Sequence, residues 1–381
     1  MSAPRPAGRA DRELCVGIDA RELQGRPTGT GRYLRNLLRC WSEAGSGRLV
    51  LFFQGAPPPD PVLSHERIVC RSVGEAGTRG SVWQERDLPG ATRAAGVDVL
   101  FAPAYSCPQR LSLPRVTTVH DLSFRSIPED FPPLEALRRR LLVGASVRVS
   151  GAIVAVSEFT RREICAWFPD AASRTRVIHH GSDDDLPPAP ERAAARASLG
   201  ARGPVLVSVG AIFNRRRLPT LLGALALLRR ARPDVELRVV GENRTHPPLD
   251  LERASRERGL ERSVRFEGFV SEARLAAHYA AADAAVCLSE YEGFGLPVLE
   301  AMSRGVPVVA SRRPAHRELF EGAALLADPG NEAEIAGALE RLLADPALRD
   351  RYASLGRERA GRFSWRRAAA EHWDLFRQVA G

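Results

Sequence analysis

Lysine is absent from this chain. All 55 basic residues among its 381 are arginine, against 46 acidic ones, for a formal charge of +9. Arginine in place of lysine throughout, beside abundant Ala, Gly and Pro, reads as a coding-composition bias rather than a selected basic surface. Nucleic acid is therefore not an expected partner, and the charge implies no more than a modest attraction to phosphates or anionic headgroups. Cysteine pairs are missing too. The six cysteines, at 15, 40, 70, 107, 165 and 287, form no C-x-x-C, which argues against a zinc site or a disulfide framework and for reduced, mostly buried thiols. No apolar run approaches 18 residues, so no membrane-spanning helix is expected. The opening MSAPRPAGRADREL has no apolar core of a signal peptide, and a cytoplasmic protein is expected.

What is present is an alternation of buried-strand and amphipathic-helix patterns from end to end, the mark of parallel α/β architecture. In the first half "CVGID", "RLVLFF", "RIVCRSV", "VDVLFAP", "VTTVHDL", "AIVAVS" and "RVIHHG" read as strands. In the second half "PVLVSVG", "ELRVVG", "VRFEGF", "AAVCLS", "VPVVAS" and "AALLAD" do so. Helical patterns such as "GRYLRNLLRCW", "PPLEALRRRLLVGASV" and "LPTLLGALALLRRA" lie between them. Asn331 and Glu334 predict a capping box at the start of "NEAEIAGALERLLAD". Length and pattern predict two doubly wound domains, at 1–185 and 204–363, with a Pro- and Ala-rich hinge at 186–203 between them. Trp365, Ala369, Trp373 and Phe376 fall near helical spacing in the tail, 364–381, which is expected to pack back towards the first domain.

The segment "SEYEGFGLPVLEAM" carries acids at both ends of a turn. "AAVCLS" should end as a strand near Ser289, and Pro297 suits the first turn of a helix that stops before Gly305. Glu292 then lies beyond a strand's carboxyl end, where ligands of open α/β sheets bind, and Glu300 lies one turn inside the helix. Gly293 and Gly295 permit close backbone approach, and the free N–H groups from Phe294 to Pro297 suit a phosphate. Carboxylates repel phosphates, so the two glutamates fit hydroxyl groups on either side of it. A diphosphate flanked by hydroxyls describes a nucleotide sugar. A capped βα turn with a solvated Glu292 and an ordinary helix Glu300 accounts for the same spacing.

"GAIFNRRRLP" places three arginines ahead of a helix whose dipole prefers negative charge there. A bound diphosphate resolves that conflict, with Arg215 and Arg216 as a cationic clamp able to bind phosphate bidentately; a solvated arginine run is the plainer alternative. "TGTGRY" is not a dinucleotide fingerprint, because the sixth position of G-x-G-x-x-G is Leu34. Asp183, Asp184 and Asp185 could in principle hold a divalent cation, but a solvated turn is preferred and no metal is predicted.

Together, "EYEGFGLPVLEAMSRGVPVVAS", "VGIDARELQGRPTGTGRYLRNLL", "VTTVHDLSF", "IVAVSEFTRREI", "VLVSVGAIFNRRRLPTLLGAL" and "FEGFVSEARLAAHYAAAD" resemble, in matching order from about residue 14 to 378, the family 4 retaining glycosyltransferases with their E-x7-E signature. The resemblance implies the GT-B fold, two Rossmann-like domains facing across a cleft, and transfer of a hexosyl group with retention of configuration. By motif position it assigns Glu292 to the donor sugar, Glu300 to the ribose hydroxyls, and the backbone of Phe294, Gly295 and Leu296 to the distal phosphate or sugar. It makes "TGTGRY" a glycine loop reaching the diphosphate, with Gly29 and Gly31 giving backbone approach. His120 is placed near sugar and acceptor, and the backbone of Phe269 and Val270 against the nucleobase. The family usually has lysine at the position of Arg216 and often arginine at that of Ala211. This chain departs at both, which leaves Arg215 and Arg216 to supply the clamp. His179 and His180 are expected to be structural.

The resemblance implies a nucleotide-diphosphate sugar as donor substrate, no further cofactor, and a glycan or lipid-linked acceptor. Bacterial mannosyl- or rhamnosyl-transferring members that build surface polysaccharide are the most similar in "GTGRYLRNL" and "TVHDLSF". Arg138, Arg139 and Arg140 beside apolar residues read equally as a solvated helix face or as a peripheral contact with the inner face of a membrane. A sugar-nucleotide 2-epimerase of the same shape and a non-catalytic nucleotide-sugar-binding subunit remain open. Nucleobase, sugar, linkage and oligomeric state are not readable.

Overall fold

The computed structural model describes residues 13–25, 28–77, 80–182 and 187–381. Two wholly parallel sheets account for the strand-like runs. The first takes β1 (Cys15–Asp19), β2 (Arg48–Gln54), β3 (Ile68–Val73), β4 (Val99–Ala102), β5 (Arg115–Val119), β6 (Ala152–Ala155) and β7 (Thr175–Val177), in the order β3-β2-β1-β4-β5-β6-β7. The second takes β8 (Val205–Val209), β9 (Glu236–Val240), β10 (Val264–Glu267), β11 (Ala284–Cys287), β12 (Val308–Ser311) and β13 (Leu325–Ala327), in the order β10-β9-β8-β11-β12-β13. Their central strands are continuous apolar runs because helices cover both faces of a parallel sheet and leave no polar side. The strand order reverses between β1 and β4 and again between β8 and β11, the two crevices where an open sheet can receive a ligand.

Helix Glu332–Ala344 shows how pattern becomes packing. Ile335, Ala336, Leu339, Leu342 and Leu343 fall on one face and join the apolar core shared with helix Leu218–Leu228. Truncating Leu339 there would cost about 2–5 kcal/mol by cavity formation. Asn331 caps this helix by accepting from the Glu334 N–H at 3.1 Å. The reciprocal half of the expected capping box is missing, because the Glu334 carboxylate accepts instead from the Asp328 N–H at 3.1 Å and pairs with Arg312.

Within 186–203, Arg192–Ser198 is a helix. Ala195 and Leu199 pack on Ala281, and Arg192 donates to Asp283 at 2.8 Å, so this stretch is fastened to the second sheet's layer. The tail forms helix Trp365–Ala380 and lies on the first sheet beside helix Gly29–Glu43. There the Trp41 indole N–H donates to the Ala369 carbonyl at 2.8 Å, and Phe376 meets Trp41 and Phe101 at ring separations of 5.5 and 5.2 Å. Aromatic pairs at such distances add to the burial of their large apolar areas. Among the described residues no helix is long and apolar enough to cross a membrane.

Candidate functional site

The carboxyl ends of the two sheets face one another across a cavity of about 650 Å³, within the size range of small-molecule sites. Its walls come from the segments following β4, β5, β8, β9, β10 and β11, together with the start of helix Gly29–Glu43 and the inner flank of helix Pro133–Val149.

At the floor of the second half, Arg216 Nη2 lies 3.1 Å from Glu292 Oε1, and the Ser289 hydroxyl donates to the same oxygen at 2.9 Å. Both side chains are about five-sixths buried, at 16% and 15% exposure. Burial opposes ionisation of Glu292, yet Arg216 and then Arg215 outweigh it and hold the carboxyl below its ordinary range. Arg216 Nη1 also donates to the Val209 carbonyl at 3.2 Å, while its buried Nε has no hydrogen-bond partner. Arg215 lies over the Phe213 ring at 4.2 Å and lines the same wall. His316 stands close to this pair; burial pushes its imidazole down to about 4, so it is neutral at pH 7.

Helix Leu296–Ser303 starts as the sequence predicts, with Pro297 in its first turn. Gly295 takes φ +100° at its N-cap, a conformation that favours glycine. Phe294, Gly295 and Leu296 all line the cavity. Glu300 is buried; its carboxylate pairs with Arg32 from the first half and accepts from the Tyr279 hydroxyl at 3.1 Å. Phe269 and Val270, beyond β10, lie on the wall, Phe269 being 56% exposed.

On the opposite side His120 follows β5 and lines the cavity, with Nε2 2.8 Å from the Pro103 carbonyl oxygen; burial pushes its imidazole below the usual range. The expected glycine loop is instead the first turn of helix Gly29–Glu43, capped by the Thr28 hydroxyl accepting from the Gly31 N–H at 3.0 Å. Gly29 lines the cavity. Gly31 does not: it is buried, and a Cβ there would stand 2.5 Å from the Glu22 carbonyl oxygen. Its lack of a side chain serves packing.

His180, expected to be structural, is 3% exposed and stacked between Tyr33 (5.0 Å, 26°) and Phe294 (4.8 Å, 18°), with neither ring nitrogen partnered, and it also lines the cavity. The strand read at "RVIHHG" places His180 near its carboxyl end, but that it faces Tyr33 and Phe294 is not a local property. Arg32 was also passed over, although it stands inside "TGTGRY". Arg138 and Arg139 line the cavity, whereas Arg140 turns aside and donates to the Phe124 carbonyl at 3.2 Å. Asp183, Asp184 and Asp185 fall outside the described residues. Among those described, no cluster of three or more His, Cys, Asp or Glu side chains could hold a metal ion.

Residues 27–186 match the family model described as Glycosyltransferase Family 4, and residues 191–359 match that described as Glycosyl transferases group 1. The chain is 31% identical to O-antigen chain mannosyltransferase B of Escherichia coli, over 89% of this chain and 93% of that protein. Among solved structures, sucrose-phosphate synthase from Thermosynechococcus elongatus superposes with a TM-score of 0.78 at 24% identity, covering 97% of this chain and 99% of that one. HepE from Anabaena, in complex with UDP and glucose, gives 0.73 at 22% identity, covering 95% and 99%. At these identities the two structures speak to fold.

Proposed function

This chain belongs to the group 1 and family 4 glycosyltransferases, and we propose that it moves a hexosyl group, mannose or a related sugar, from a nucleotide-diphosphate sugar to a hydroxyl of a glycan or lipid-linked glycan, with retention and without a metal ion. The observation that carries this reading is the buried Arg216–Glu292 pair with Arg215 beside it, at the carboxyl edge of β8 and β11. Cations that meet a diphosphate and an acid that meets sugar hydroxyls stand within one side chain's reach.

In this reading Arg215, Arg216 and the amides opening helix Leu296–Ser303 receive the diphosphate. Glu292 accepts hydrogen bonds from the transferred sugar, Glu300 from the ribose, and the segment at Phe269 and Val270 takes the base. His120 and His180 border the sugar and the incoming acceptor. The bond from the anomeric carbon to the distal phosphate oxygen breaks, and a bond to the acceptor oxygen forms on the same face. The acceptor proton passes to the departing phosphate, so no protein nucleophile is required. Arginines already in place where charge develops stabilise the leaving group without reorganisation. Mannose is favoured by the likeness to the Escherichia coli mannosyltransferase; a nucleoside diphosphate by the fold shared with HepE.

The test is a panel of UDP-, GDP-, ADP- and dTDP-sugars read by thermal shift and by transfer, with NMR of the product's anomeric configuration. One donor class should stabilise the protein, since only a ligand of the native state does so. Stabilisation by none would sink the donor assignment. Conversion of donor to its 2-epimer with no acceptor present would replace transfer by epimerisation.

A further inference from the structure

Three groups of the second half grip one helix of the first, Glu158–Trp167. The Glu318 carboxylate, on helix Pro314–Phe320, accepts from the backbone N–H groups of Glu158 and Phe159 at 2.7 Å each. Tyr291, directly before Glu292, lays its ring 5.4 Å from that of Phe159, and its hydroxyl donates to Glu163 at 3.0 Å. The same hydroxyl accepts at 3.2 Å from the N–H of Leu122, two residues past His120. The Gly293 carbonyl accepts from the hydroxyl of Ser157, the helix's N-cap, at 2.6 Å. Glu318, Tyr291 and Phe159 stand outside the cavity lining, whereas His120, Glu292 and Gly293 belong to it.

The first N–H groups of a helix have no partner within it, and an N-cap side chain satisfies only one of them. Ser157 does so for Thr160, at 3.1 Å. The amides of Glu158 and Phe159 are instead completed from the other half of the molecule, by a carboxylate, the kind of group that the positive end of a helix favours. Arg162 adds a longer contact with Glu318, at 3.4 Å. Each of these bonds is polar, so water can take its place when the halves part, and interfaces of that kind leave domains free to move.

We propose that Glu318 and Tyr291 are positioning residues, a clamp beside the cleft that holds the Glu292 wall against the His120 wall while sugar is transferred. The proposal rests on the transferase reading above, in which the donor ribose takes Glu300. The ion pair of Glu300 with Arg32 joins two residues of the cavity lining, so a donor that engages Glu300 competes with it. The grip on helix Glu158–Trp167 lies outside that lining and is not contested by the donor. It is also tied closely to both walls: Tyr291 and Gly293 flank Glu292, and Leu122 lies two residues beyond His120. Misplacing reacting groups by about 1 Å can cost roughly a hundredfold in rate, which is how a contact outside the cavity comes to control turnover.

The experiment joins amide hydrogen exchange, resolved to single residues, with transfer kinetics on the full chain. In the wild type the N–H groups of Glu158 and Phe159 should be protected, although nothing within their helix can protect them. Glu318→Ala should speed their exchange about tenfold or more, and Glu318→Gln, which keeps one acceptor oxygen, should fall between. The single-turnover rate of transfer should drop about tenfold in Glu318→Ala and roughly fivefold in Tyr291→Phe, which also frees the Leu122 N–H to exchange. Dissociation constants for GDP, UDP, ADP and dTDP should stay within about twofold of the wild type, because the loss falls on the transition state and not on donor binding. A brace of the fold alone would lower the melting temperature without separating rate from affinity. Unprotected amides at Glu158 and Phe159 in the wild type, an unchanged single-turnover rate in Glu318→Ala, or equal losses of rate and affinity would each overturn the proposal. If Glu318→Ala does not fold, Tyr291→Phe decides on the same measurements. Absence of transfer by the wild type would count against the transferase reading alone, and the exchange rates would still decide the clamp.

Discussion

Arg32, in the first turn of helix Gly29–Glu43, forms an ion pair with Glu300, on helix Leu296–Ser303 of the other half, and the Tyr279 hydroxyl completes the carboxylate's coordination. The pair joins the two walls of the cavity through a carboxylate that is only 8% exposed. Removing either partner leaves the other poorly solvated, which costs more than the pair itself contributes.

A double-mutant cycle with Arg32→Gln and Glu300→Gln, read by thermal unfolding and by donor KM, should therefore show coupling of about 1 kcal/mol or more. Additive effects, within about 0.5 kcal/mol, would mean that the contact joins the walls without energetic consequence.

Glu292→Gln keeps the shape of the side chain and removes its charge. Transfer should fall by about two orders of magnitude or more while the melting temperature changes little. Arg216→Ala should lower kcat/KM by roughly 1.5–3 kcal/mol, the range for hydrogen bonds to charged groups. If both variants turned over as the wild type does, the chemistry would lie elsewhere.

Gly293 sits against the backbone of the first half. A Cβ on it would overlap the His120 carbonyl oxygen, and its own carbonyl accepts from the Ser157 hydroxyl at 2.6 Å. Gly293→Ala should force the walls apart, so kcat should fall more than donor affinity. The comparison is single-turnover rate against donor Kd; equal losses in both would point to a local defect in the donor wall.

Acid should destabilise the protein before its carboxylates titrate. Burial keeps His316 and His372 neutral, with pKa values pushed down to about 4, and also lowers His120 and His180. Above about pH 6.5 these groups are neutral in both folded and unfolded chains and contribute no slope. Below it the unfolded chain takes up protons that the folded chain refuses, so stability is lost from about pH 6.5 down to pH 4, by at most roughly 3 kcal/mol each for His316 and His372. The urea midpoint should drop between pH 7 and pH 5, and less steeply in His372→Gln, whose amide can still meet the Tyr33 hydroxyl now 2.6 Å from His372 Nε2. Equal midpoints at the two pH values would contradict the burial argument.

The thirteen strands were legible because parallel strands buried on both faces are written as short unbroken apolar runs, and Val205–Val209 or Ala284–Cys287 can be little else. The place of Glu292 past β11, and of Glu300 one turn into the next helix, followed from the run "AAVCLS" together with Pro297 and Gly305. Local chemistry also exposed Arg215 and Arg216, since cations ahead of a helix are out of keeping with its dipole.

What the chain's order determined was therefore each element and the residues at its end. What only tertiary structure decided was which ends meet. Arg32 and Glu300 are 268 residues apart, Tyr33, His180 and Phe294 come from three separate segments, and Gly31 packs against the Glu22 carbonyl. Periodicity and capping act over a few residues, whereas these pairings are set by the docking of one sheet's edge against another's, which no local pattern encodes.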